Sequence, residues 1–127
     1  MGNWLFQSCK KEQASDPSLA GRMDTELRAA QLAHHRMLDA VTRNTPCAET
    51  VDKVLIGRAL VARHAIAAVD LAMELAGGAS FYRATGLEWH FRDIQGARFH
   101  PLQASQQVRF SDGRSAEPPT SSGAVGL

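Results

Sequence analysis

Apolar residues are concentrated in one stretch of the chain. From Val51 to Ala76 there is no proline, and Gly57 is the only interior glycine. At about 100° per residue, Val54, Leu55, Leu60, Val61, Ile66, Val69, Leu71, Met73 and Leu75 cover most of a helical circumference, with alanines in the gaps. Asp52, Arg63, Asp70 and Glu74 fall on one narrow stripe, with Lys53 and His64 beside it. A helix this apolar must be covered by more than one neighbour. The pattern predicts a central helix over Pro46–Ala76 whose charged stripe faces solvent.

The flanking patterns supply its neighbours. Asp16-Pro17-Ser18 is a helix-start signal, with Asp at the N-cap and Pro in the first turn. Leu19, Met23, Leu27, Ala30, His34, Met37 and Val41 then recur at steps of four and three, and Leu38 widens the seam. This predicts a helix over Ser18–Arg43. Asn44-Thr45-Pro46 ends it, with Thr45 as the next N-cap, and so short a connection makes the two helices antiparallel neighbours. Gly77-Gly78 stops the central helix. Ala79–Ala84 is a compact loop or one extra turn with two aromatics, Phe81 and Tyr82, to bury. Thr85 and Glu88 have capping-box spacing, which opens a third helix over Gly86–Gln95 with Leu87, Phe91 and Ile94 on one face and Trp89 off it. Pro101 forbids a continuous helix through 99–103. A fourth packing element comes from the N-terminus or from Phe99–Phe110. The expected fold is therefore an all-α antiparallel helical bundle at 16–110, with an N-terminal extension at 1–15 and a low-complexity, disordered tail at 111–127.

Composition narrows the function classes. A single domain accommodates 127 residues, and a net charge of +1 gives no electrostatic case for nucleic acid. Cys9 and Cys47 form neither a disulfide framework nor a zinc spacing. With no apolar run free of charge and no secretory signal, the expected setting is cytoplasmic, with no membrane partner. The apolar Trp4-Leu5-Phe6 reads as a frayed terminus or a helix end packed on the bundle. His34 and His35 are adjacent, so they point about 100° apart on a helix and cannot share one metal ion; no metal site is expected.

The residues with most to say lie at the two ends of the hairpin after the central helix. Met73-Glu74-Leu75-Ala76-Gly77-Gly78-Ala79-Ser80-Phe81-Tyr82, followed by Gly86-Leu87-Glu88-Trp89-His90-Phe91-Arg92-Asp93, resembles the C-terminal domain of the flavin-dependent acyl-CoA dehydrogenase family. The shared order is an apolar helix, Gly-Gly, a small residue, an aromatic, and a helix ending in Arg-Asp. It extends over Ser18–Arg109, with Trp89 where the family often has Arg.

The resemblance implies an oxidoreductase acting on acyl-CoA-type substrates with FAD. In that family the C-terminal bundle packs against an N-terminal helical domain and a middle β-domain, and the subunits form homo-oligomers. Gly77 and Gly78 map onto a region near the flavin of a neighbouring subunit, and Glu74 occupies the position of a Gln that helps hold the cofactor. Glu88, Arg92 and Asp93 carry the structural motif. The usual base, a Glu eight residues after the Asp, is here Pro101, which cannot take a proton; His100 beside it is the acid/base candidate, as in flavin-dependent monooxygenases of the same superfamily. Only one of the three domains is present, so the lone chain is expected to be catalytically incomplete. It needs a homo-oligomer or a partner supplying the other domains. The alternatives are a non-catalytic helical interaction module and part of a monooxygenase.

Overall fold

The computed structural model describes residues 17–100 and 102–116. These form four helices, α1 (Pro17–Arg43), α2 (Ala48–Ala76), α3 (Leu87–Ile94) and α4 (Ala104–Ala116), with 3-10 turns at Gly77–Phe81, Arg83–Thr85 and Gln95–Arg98. There is no strand among the described residues, and the all-α bundle expected from the pattern is the fold observed. Asp16 and the Trp4-Leu5-Phe6 patch lie outside the described residues.

The largest interface is the α1–α2 hairpin. Its antiparallel sense shows in two pairings. Near one end, His64 Nδ1 and Glu26 Oε2 are 2.6 Å apart, both side chains largely covered. Toward the other, Gly57 lies under Met37: a Cβ at Gly57 would come within 2.9 Å of the Met37 Cβ. Gly57 thus lets α1 approach α2 closely at Met37, and it is buried.

The connection departs from expectation in detail. Thr45 is not the cap of α2; Cys47 takes that position, extended at φ −157°, with no capping side chain. The Thr45 carbonyl instead accepts a hydrogen bond from Thr50 Oγ1 at 2.9 Å, and Asn44 Nδ2 closes α1 by donating to the Ala40 carbonyl at 3.0 Å.

Met23, Leu71, Ala72 and Leu87 form a buried cluster where α1, α2 and α3 meet. Burying side chains of this size stabilises the fold by about 1.5–3 kcal/mol each, and Leu87 is what anchors the short α3. Phe91, expected beside it, remains 39% exposed. The α1 seam is also revised. Met23, Ala30 and Ala40 are buried, whereas His34 and Val41 face solvent. A straight helix drifts by about 20° per heptad against a strict seven-residue repeat, so the contact line rotates from Met23 towards Ala40 and leaves His34 and Val41 outside it.

The remaining corrections concern the turns and the tail. Phe81 and Tyr82, expected to be buried, are 88% and 70% exposed. They sit in and beside a 3-10 turn that no described element covers. The capping box at Thr85 is not formed: Gly86 takes the N-cap position at φ 68°. The Leu87 N–H reaches Thr85 Oγ1 at 3.5 Å, and Glu88 turns instead to the Trp89 indole N–H at 2.9 Å. The chain leaves the helix at Phe99 and His100, as expected from Pro101, which itself lies outside the described residues. α4 runs on to Ala116, past the boundary expected at residue 110.

The Gly57–Met37 approach predicts a contrast between two glycine substitutions. A Cβ at Gly57 clashes with backbone-proximal atoms, at a cost of about 1–3 kcal/mol that the helix propensity of alanine, worth about 1 kcal/mol, offsets only in part. Nothing lies within 4 Å of a Cβ at Gly21. Thermal unfolding should therefore show Gly57→Ala melting below the wild type and Gly21→Ala above it.

Candidate functional site

Two regions carry the residues singled out by the sequence. The first is the C-terminal end of α2. Gly77 adopts φ 58° and ψ −136°, and its N–H bonds to the carbonyls of Met73 and Glu74. Side-chain-bearing residues avoid this backbone region, so the chain itself requires glycine there. The buried Ser80 then donates from Oγ to the Gly77 carbonyl at 2.7 Å and closes the turn. Ser80 was not singled out by sequence reasoning; its only signal is a small polar residue after the glycine pair.

Gly78 differs. Its φ is not positive, and nothing lies within 4 Å of where its Cβ would be. Nothing among the described residues demands glycine at 78. Glu74 is one turn back and also exposed. The end of α2 is therefore a bare stretch of backbone beside a carboxylate, open on the outside.

α3 holds the motif residues. Arg92 Nε and Asp93 Oδ1 lie 3.1 Å apart with both side chains mostly exposed, a solvent-facing pair worth little. Glu88 stands 3.7 Å from Arg83 Nε, and these two line a shallow groove with Trp89 and Arg92. Trp89 is 59% exposed. No hydrogen bond or ion pair joins Glu88, Arg92 or Asp93 to Glu74, Gly77 or Gly78 among the described residues.

The second region is the junction of α2, the Gln95–Arg98 turn and α4. His100 is exposed, and its carbonyl accepts a hydrogen bond from Arg58 Nη2 at 2.7 Å. Leu55, Ala97 and Leu102 line the hollow beside it. Arg58 and Gly77 both belong to the α2 axis, nineteen residues apart, which at the helical rise is roughly 28 Å. The structure therefore does not bring His100 together with Glu74, Gly77 and Gly78: His100 is held at Arg58 in the N-terminal half of α2, and the other three lie at its C-terminal end.

Elsewhere the chemistry is sparse. No group of three metal-ligating side chains occurs among the described residues, and none of their helices is long and apolar enough to cross a membrane. The exposed Cys47 thiol is held below its ordinary range by hydrogen bonding to the Thr50 hydroxyl and backbone.

The glycine geometry predicts that Gly77→Ala lowers stability by about 1–3 kcal/mol, the cost of forcing a side chain into that backbone region. Gly78→Ala should stay within about 0.5 kcal/mol of wild type. Denaturant unfolding of the two variants reads both.

The order of these features, a long apolar helix, a turn opened by two glycines and a short helix ending in Arg92-Asp93, is matched at the level of sequence families. Residues 7–104 match the family described as acyl-CoA dehydrogenase, C-terminal domain. Comparison with curated proteins and with solved structures gives no match. With more than half of its length within that match, this chain belongs to the acyl-CoA dehydrogenase C-terminal domain family.

Proposed function

We propose that the chain is the C-terminal bundle of a flavin-dependent, acyl-CoA dehydrogenase-like oxidoreductase, contributing one wall of a flavin site and an association surface rather than a complete active site. The observation that carries this reading is Gly78. It is a second glycine that neither its own backbone nor the packing of the described residues requires. A side chain missing without internal reason keeps the surface clear for a group from outside.

The residues fit FAD only in part. Gly77 and Gly78 present open backbone to a flat ring system. Glu74 repels phosphate, so the pyrophosphate has no place next to it. When bound, FAD supplies a two-electron acceptor for an acyl-CoA-type substrate; this chain would orient it and exclude water from one side. His100 is the proton-handling candidate. The roughly 28 Å along α2 between its anchor Arg58 and Gly77 means that these two features of one chain serve different flavins. That is the arrangement of a homo-oligomer, or of a complex with a partner that supplies the missing domains.

Reading the chain as a non-catalytic interaction module draws on the same Glu74 carboxylate and on apolar residues left exposed on α1 and α2, such as Leu32 and Ile56. The two readings separate on flavin. An absorbance spectrum across a sizing column, with FAD added to the chain alone and to the chain mixed with N-terminal and middle domains of the family, should show flavin co-eluting with assemblies and absent from the monomer. Gly78→Leu should reduce the bound flavin severalfold without loss of helicity. Stoichiometric flavin on the monomer, or none on any assembly, would overturn the proposal.

A further inference from the structure

Glu26 and His64 stand apart from both regions described above. They belong to different helices, 38 residues apart in sequence, and the antiparallel packing of α1 on α2 sets His64 Nδ1 2.6 Å from Glu26 Oε2. A carboxylate only accepts hydrogen bonds, so Nδ1 carries the proton, and in the neutral ring the free lone pair is on Nε2. Nε2 makes no hydrogen bond among the described residues. The His64 side chain is 22% exposed and that of Glu26 33%. That cover shields the pair from most competing water and still leaves part of the imidazole within reach.

His64 stands at one end of an open groove of about 780 Å³ between α1 and α2, a volume in the range of small-molecule sites. Leu32, Met37, Ile56 and Leu60 give it apolar walls. From Lys53 to His64 it follows α2 for eleven residues, roughly 16 Å at the helical rise. Two of its cations are answered within the chain, Arg43 by Asp39 at 3.6 Å and Lys53 by Glu49 at 2.8 Å. Arg36 has no partner among the described residues, so the groove favours an apolar molecule that is neutral or anionic. No hydroxyl or thiol lines it. A base placed there has no protein nucleophile to activate, and the group it can deprotonate is water.

We infer that Glu26 and His64 form an acid–base centre that hydrolyses esters or thioesters of apolar carboxylic acids seated in this groove. The acyl chain lies along the apolar walls, and the carbonyl carbon comes level with His64. Nε2 takes a proton from a water molecule as the water oxygen bonds to that carbon. The tetrahedral adduct then collapses. The bond from carbon to the leaving oxygen or sulfur breaks, the electron pair departs with that atom, and the proton on Nε2 passes to it. The products are the acid and an alcohol or thiol. No oxidant or reductant enters, so the inference stands independently of the flavin reading above. His64 is the catalytic residue. Glu26 is a positioning residue: it holds the tautomer and sets a negative charge against the imidazolium that forms.

Hydrolysis of p-nitrophenyl hexanoate by the full chain, followed by nitrophenolate absorbance, tests the centre. The wild type should exceed His64→Gln in kcat by about a hundredfold or more, the range of a positioned base. His34→Gln, which removes an exposed imidazole from α1, should change nothing. The glutamine at 64 keeps an amide that can reach Glu26, and circular dichroism checks that the helices persist. Added imidazole should restore turnover to His64→Ala. Glu26→Gln should lower kcat severalfold at unchanged KM, because the charge facing the imidazolium is gone. Leu60→Trp, which fills the groove, should raise KM for the hexanoate ester and leave that for the acetate ester unchanged. Long-range nitrogen–proton NMR should place the proton of neutral His64 on Nδ1. A wild type no faster than His64→Gln, an equal loss in His34→Gln, full kcat in Glu26→Gln, or a proton on Nε2 would overturn the inference.

Discussion

The structure depends on the mismatch between how much of α2 is apolar and how much this chain can cover. A helix buried on several sides needs several neighbours. Here α1 takes one flank along its whole length, while α3 and α4 share the other in short contacts. The buried cluster lies where three helices converge, at Met23, Leu71, Ala72 and Leu87. Towards the N-terminal half of α2, Ile56 and Leu60 remain about two-fifths exposed. Tight approach of α1 at Gly57 deepens the contact on one side, yet it does nothing for the open line on the other.

Residue pattern made the helices legible because apolar spacing reports a local property, the face a helix buries. The hairpin of α1 and α2, the stop at Gly77 and the break before α4 all follow from such local signals. What the pattern misjudged depends on relations between elements. His34 and Val41 were placed inward by a straight seam, whereas two crossing helices rotate the contact line away from them. Phe81 and Tyr82 were expected to be buried on the general preference of aromatics, but burial needs a covering element, and none of those described supplies one. The charged stripe was read correctly as solvent-facing at Arg63, Asp70 and Glu74. Its continuation through Ile56 and Leu60 was hidden, because on a mostly apolar helix two more apolar residues carry no contrast.

The candidate site was legible in its residue types and not in its distances. Gly77 and Gly78 look equivalent in sequence. The backbone separates them into one glycine that the fold requires and one that it does not. The sequence named His100 and the glycine pair without a distance between them; the structure holds His100 against Arg58 in the N-terminal half of α2 and the glycine pair beyond its C-terminus.

The uneven cover of α2 is most directly read by amide hydrogen exchange on the full chain. Amides around Leu71 and Ala72, where α1 and α3 converge, should exchange most slowly, and those around the exposed Ile56 and Leu60 faster. Equal protection along α2, or slower exchange at Ile56 and Leu60 than at Leu71 and Ala72, would contradict the account.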